Sequence, residues 1–202
     1  MKLYYSPGAC SLSPHIVLLE AALPFTVEKT DLKTKKTAGG GDYYKINSKG
    51  AVPALQLDDG RVLTEGPAIV QYIADRAPDS GLAPRFGTFE RYQLMEMLNY
   101  IGTEIHAGFH PLFTPGSSPE AKAAAVESLG KKFDWLSKRI PEGKYVLGDS
   151  FTVADAYLFT VLRWIDYAKM DRAKWPALAA YFELVGRRPK VQEALKAEGL
   201  TK

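Results

Sequence analysis

The feature that most constrains this chain is a change of periodicity near residue 78. Before it, short apolar runs switch between the two-residue period of strands and the 3.6-residue period of helices; after it, every apolar run is helical. Lys2–Tyr5 predicts a strand, residues 14–23 a helix and residues 25–32 a second strand. Residues 34–47 are polar, contain Gly39-Gly40-Gly41, and predict an irregular excursion with one helical turn around 43–46. Residues 54–57 and 61–63 flank Asp58-Asp59-Gly60, a strong hairpin signal. A helix over 65–77 completes a β-α-β-loop-β-β-α order. Residues 79–87 are rich in breakers and read as a linker. Helical patterns then cover 88–112, 119–140, 152–170, 176–187 and 189–197. The expectation is an α/β domain over 1–78 followed by an all-α domain over 88–202.

The chain is long enough for two such domains. At 202 residues, 46% hydrophobic and 24% charged, it has the composition of a globular protein with a buried core. Its net charge of +3 is small, and its basic residues are interleaved with acids, which argues against a nucleic-acid partner. The densest basic stretch, residues 131–139, reads as the wet face of a helix, with Phe133 and Leu136 turned inward. No run approaches the roughly 18 apolar residues of a membrane span, and no secretory pattern precedes the first strand. One cysteine makes no internal disulfide, so a reducing cytoplasm is the expected compartment. Thr152 and Asp155 have the spacing of a capping box ahead of an apolar run, a structural feature to which no chemistry is assigned.

Four places carry chemistry. Cys10 lies in a turn before a helix whose N-cap and first position fit Ser13 and Pro14, where the helix dipole favours a thiolate. A small buried hydrophobe is the competing reading of a free cysteine. Val52-Pro53 opens the strand that leads into the hairpin. A cis proline there would present the Val52 backbone to an extended peptide, and a trans proline at an edge strand is the competing reading. Glu65-Gly66 begins a helix, where amides suit a carboxylate and Glu65 suits an ammonium group. Lys35, in the polar excursion beside Lys33 and Lys36, reaches toward a second carboxylate. No His, Cys and acid cluster has metal-ligand spacing, Gly39–Gly41 lacks the residues of a phosphate loop, and His15 and His110 belong to no constellation.

With these residues in place, the chain resembles the bacterial beta-class glutathione transferases over essentially its whole length. The matching stretches are KLYYSPGACSLSPHI, NSKGAVPALQLDDG, LTEGPAIVQYIAD, ERYQLMEMLNYIGTEIH, and FTVADAYLFTVLRW through the terminal AEGL. The resemblance implies a thioredoxin-like N-terminal domain, a helical-bundle C-terminal domain and a homodimer. It implies glutathione as co-substrate, with Val52 pairing the cysteinyl backbone, Glu65 and Gly66 holding the γ-glutamyl end, and Lys35 the glycyl carboxylate. Cys10 would lie beside the reacting sulfur. Asn99, Thr103 and His106 stand at i, i+4 and i+7, one face of an α-helix, and the resemblance assigns that face to glutathione, with Asn99 and His106 near the sulfur. Glu104, on another face, would reach glutathione in the partner subunit.

The expected activity is conjugation of the glutathione thiolate to a small apolar electrophile held against residues such as Phe109 and Phe113. Two alternatives remain. One is thiol-disulfide exchange, peroxide reduction or reductive dehalogenation through a Cys10–glutathione mixed disulfide, resolved by a second glutathione. The other is a non-catalytic ligand carrier.

Overall fold

The aromatic run near the N-terminus, Lys2–Tyr5, becomes the central strand β1 of a five-stranded sheet. The computed structural model describes residues 1–201. Helix α1 (Leu12–Glu20) connects β1 to the parallel strand β2 (Thr26–Asp31), with Leu3 opposite Val27. Short strand β3 (Lys36–Thr37) extends the edge, and a single 3-10 turn, Tyr43–Lys45, follows. On the other side of β1 lies β4 (Ala54–Gln56), antiparallel, and beyond it β5 (Val62–Thr64), giving the order β3-β2-β1-β4-β5. The expected hairpin forms. Gly60 takes φ 86°, a left-handed conformation that glycine adopts at little cost, and Leu57 and Arg61 close the turn at 2.8 Å. Helix α2 (Gly66–Arg76) completes the thioredoxin-like pattern.

By compactness, Met1–Ala83 and the residues from Arg188 onward form one unit, and Pro84–Arg187 the other. The helix α9 (Pro189–Ala197), counted with the helical domain in the sequence expectation, therefore packs in the sheet unit, against α1. Leu3, Leu12, Ile16, Leu18, Leu55, Ile69 and Ile73 are fully buried there. At roughly 1.5–3 kcal/mol per buried aliphatic side chain, this cluster holds the sheet to its helices.

The second unit is helical. Thr88 caps α3 (Phe89–Tyr100) by accepting from the Arg91 N–H at 3.3 Å. The helix expected to continue to residue 112 instead widens into a π-helical segment, Ile101–His106, then tightens through a 3-10 turn, Ala107–Phe109, into α4 (His110–Phe113). Ser118 caps the long α5 (Pro119–Arg139), which approaches the 3-10 turn closely. A Cβ on Gly108 would stand 2.8 Å from Leu129 Cδ2, so a larger residue at that crossing would have to push the buried Leu129 side chain aside. Helix α6 (Val153–Leu162) is buried at every position, as its unbroken apolar run requires, and α7 (Trp164–Tyr167) and α8 (Pro176–Gly186) complete the unit. Asp155, at the start of α6, returns its carboxylate to the Thr152 N–H at 2.8 Å and accepts from Val146 N–H and Tyr181 O–H at 2.8 and 2.9 Å. Among the described residues, no helix is long and apolar enough to cross a membrane.

Candidate active site

The turn between β1 and α1 carries Cys10 and is braced from two directions. Ser11 Oγ accepts from the Ser6 N–H at 3.1 Å and donates to the Ser6 carbonyl at 3.2 Å, folding the turn on itself. Gly8, at φ 73°, donates its N–H to Glu198 Oε2 at 3.0 Å. The other oxygen of Glu198 meets His15 Nδ1 at 2.9 Å, a pair buried on both sides. His15, which fits no constellation in the sequence, is thus part of the support beneath the cysteine loop. Nothing in the sequence pairs it with an acid 183 residues away.

Helix α1 begins at Leu12 with Ser11 as its N-cap, two residues earlier than the sequence expectation. Ser13 is buried inside the first turn, its hydroxyl donating to the Cys10 carbonyl at 3.1 Å, and Pro14 stands at the third helical position. Cys10 therefore sits one residue outside the N-cap. The expected thiolate does not follow. Burial pushes the Cys10 thiol up to about 12 from an ordinary 9.0, and the nearby Glu65 charge adds to this; the backbone amides of Cys10 and Ser11 oppose it and lose. A helix end contributes about 0.3–1 kcal/mol at a partly exposed position, whereas withdrawing an unpaired ion from water costs several. The half-buried thiol instead donates to the Val52 carbonyl at 3.1 Å.

The Val52–Pro53 peptide bond is cis, as its place in the fold predicts. The segment leading to it is held from several sides. Asn47 Nδ2 and the Tyr43 hydroxyl both donate to the Ala51 carbonyl, at 2.6 and 2.9 Å. Lys35 Nζ donates to the Gly50 carbonyl at 2.8 Å. Lys33 and Lys36 are exposed, so Lys35 is the lysine of the excursion that turns toward this segment, aided by its left-handed backbone at φ 56°. Across the hairpin, Glu65 precedes α2 with φ 72° and ψ 113°, a sparsely populated conformation for a residue with a side chain and one that clusters at functional sites. Its carboxylate does not cap the helix; Lys49 holds it in an ion pair. Gly66 is buried, and a Cβ there would find only Pro53 Cγ, at 3.9 Å. Cys10, Lys35, Val52, Glu65 and Gly66 thus converge around the start of β4 and the start of α2.

In the helical unit, the expected face of Asn99, Thr103 and His106 divides. The π-helical segment advances more residues per turn than an α-helix, so spacing measured at 3.6 residues loses register across it. Asn99 and Thr103 line a cavity of about 330 Å³ with Tyr100, Trp135 and Arg139, and Glu104, expected on another face, lines it too. Glu104 pairs with Lys132 at 3.0 Å, and the same ammonium donates to the Glu104 carbonyl at 2.9 Å. His106 belongs to a different group: its Nδ1 lies 2.6 Å from the Tyr157 hydroxyl, and its ring stands edge-on to Trp164 at 4.8 Å. Trp164 in turn meets both Phe109 and Phe113 edge-on, at 5.6 and 5.7 Å. Phe109 is fully buried and serves as core; Phe113 is the exposed member of the pair. Tyr157 and Trp164 escaped the sequence reading because they lie in the apolar run of α6 and α7, where core is the default.

Fold and site first define a class: a thioredoxin-like unit in which the carbonyl before a cis proline meets a cysteine, joined in one chain to an all-helical unit. The chain belongs to the glutathione S-transferase family. The model of the glutathione S-transferase N-terminal domain matches residues 8–76, and that of the C-terminal domain residues 119–184. It is 47% identical over 200 residues to glutathione S-transferase GstA of Escherichia coli O157:H7, across 99% of this chain and 100% of that one. BphK, a bacterial glutathione transferase solved as a ternary complex, is 55% identical with a TM-score of 0.97, across 99% and 100% of the two chains. A bacterial beta-class glutathione S-transferase from Sphingomonas chungbukensis is 49% identical with a TM-score of 0.96, across 100% of both. The beta-class resemblance and the two-part fold are borne out. This is a glutathione transferase, and glutathione is its co-substrate.

Proposed function

We propose that this enzyme transfers the glutathione thiolate to small, mostly apolar electrophiles, with Cys10 beside the reacting sulfur as a neutral hydrogen-bond donor. One observation carries the reading: the Cys10 thiol lies 3.1 Å from the Val52 carbonyl. A peptide added to Val52 as an extra strand brings its own cysteine backbone to that carbonyl, and so its sulfur into the neighbourhood of Cys10. A protonated thiol there donates to the thiolate and favours its ionised form. Orientation of the two reactants supplies much of the remaining rate gain.

In this reading Glu65 takes the γ-glutamyl ammonium, Gly66 N–H and the helix end its carboxylate, and Lys35 the glycyl carboxylate. Asn99, Thr103 and His106 are further contacts on the strength of the beta-class resemblance, with His106 assisting at the sulfur. Glu104 serves glutathione held by a second subunit. The protein works as a homodimer in a reducing cytoplasm, in detoxification. The rival reading, exchange through a Cys10–glutathione mixed disulfide, requires Cys10 to attack as a thiolate, which the raised titration of this half-buried thiol disfavours.

The test is a turnover panel with glutathione and aromatic halides, epoxides or disulfides, on wild type and Cys10→Ala. Conjugation reduced by about tenfold to a hundredfold but measurable in the variant is expected from loss of one hydrogen bond to a charged sulfur. Conjugation abolished together with disulfide reduction would instead make Cys10 the obligatory nucleophile.

A further inference from the structure

The proposed head-group site contains a residue that neither the motifs nor the family resemblance assigned. Glu65, read as the partner of the γ-glutamyl ammonium, already has a cation. Lys49 Nζ pairs with its carboxylate and donates to Thr64 Oγ1 at 2.8 Å. Lys49 is not a loosely tethered surface lysine at its base. Its N–H donates to Asn47 Oδ1 at 3.1 Å, and the other end of that amide fixes the Ala51 carbonyl, so its stem starts from the braced segment before Val52. Its ammonium ends at the start of α2, where the Glu65 side chain makes no cap and the first turn contains no acid.

The side chains of Lys49 and Glu65 are 49% and 69% exposed, so their mutual bond is worth little and exchanges readily. A free amino-acid head group carries one ammonium and one carboxylate. Glu65 and Lys49 are the same two charges with opposite polarity, held side by side. We propose that Lys49 is a specificity-determining residue: when glutathione binds, Glu65 passes from Lys49 to the ligand ammonium, and Lys49 takes the α-carboxylate of the γ-glutamyl group. Two crossed ion pairs replace one, and no charge is left without a partner. A ligand with the ammonium but without the α-carboxylate leaves Lys49 competing for Glu65 and is discriminated against. The inference rests on the reading of Glu65 above and adds Lys49 to Gly66 N–H and the helix end as a holder of the carboxylate.

The test compares glutathione with its analogue lacking the α-carboxylate, 4-aminobutanoyl-cysteinyl-glycine, by titration calorimetry on wild type, Lys49→Met and Glu65→Gln. Wild type should bind glutathione at least about tenfold more tightly than the analogue, and Lys49→Met should lose about tenfold for glutathione and shrink the gap between the two ligands by about the same factor, leaving only what Gly66 N–H and the helix end contribute. Lys49→Met binding glutathione as well as wild type, or better because a competitor for Glu65 is gone, would overturn the proposal. So would full discrimination retained in that variant. Glu65→Gln separates the two levels: unaltered affinity there overturns the head-group site itself. Weakened affinity in Glu65→Gln with none in Lys49→Met overturns the role of Lys49 alone.

Discussion

Cys10 in the ligand-free enzyme should be an unreactive thiol, and its alkylation rate against pH measures this directly. Burial places its titration at about 12 rather than 9.0. At about pH 7.4 an ordinary thiol with the lower value is ionised in about one molecule in forty, and one with the higher value in about one in forty thousand. That is a thousandfold deficit of thiolate. The more basic thiolate is the better nucleophile, and a Brønsted slope of about 0.4–0.5 returns roughly twentyfold to thirtyfold of the loss. The net expectation is iodoacetamide modification roughly fiftyfold slower than that of a free thiol at the same pH. The direction also fixes the shape of the profile. Because the value is raised, the rate should climb about tenfold per pH unit through pH 10 without levelling. The assay is peptide-level mass spectrometry of the modified Cys10 peptide over time, which separates the single cysteine from the amines that alkylate at high pH. A plateau below pH 8, or a rate equal to the free thiol, would show that the helix end outweighs burial and would refute the neutral-donor reading.

Two further outcomes follow from the supports of the two units. Asp155→Ala removes the acceptor for Val146 N–H, Thr152 N–H and Tyr181 O–H in a fully buried place, so urea unfolding should show a loss of about 3–5 kcal/mol; a loss under about 1 kcal/mol would mean those donors find other partners. Glu198→Ala removes an acceptor of the Gly8 N–H and the buried partner of His15, so it should cost about 3 kcal/mol and also speed Cys10 alkylation as the loop loosens; destabilisation with unchanged alkylation would show that Glu198 supports the fold without positioning the cysteine loop.

What was legible in the sequence was what short stretches decide for themselves. Asp58-Asp59-Gly60 dictates a turn, and the hairpin formed. The all-apolar run of Val153–Leu162 demands burial on every side and received it. The β-α-β-β-α order followed from strand and helix periods, and within it Pro53 marks the position where the cis bond, one of two readings of that proline, is found. What was not legible depends on partners distant in sequence. The π-helical segment that separates His106 from Asn99 and Thr103 is accompanied by Lys132, which donates to the Glu104 carbonyl from 28 residues away, a bond no periodicity encodes. The same applies to His15 and Glu198. At Cys10 two opposing terms compete. Proximity to a helix start is visible in sequence, but the solvent lost on folding is not, and the second term is larger.

That reversal changes what the cysteine is suited to do. A thiolate at position 10 would repel a second thiolate brought to the Val52 carbonyl, and the two could not both be charged at close range. A thiol has no such conflict. Nor must it be evicted to make room: a carbonyl oxygen has two lone pairs, and Cys10 uses one, so a strand-like peptide can pair with Val52 while the thiol stays near or turns to the incoming sulfur. The burial that makes Cys10 a poor nucleophile is therefore what fits it to donate. On the proposed reading it also explains why one cysteine, without a resolving partner in the chain, suffices beside a co-substrate that brings its own thiol.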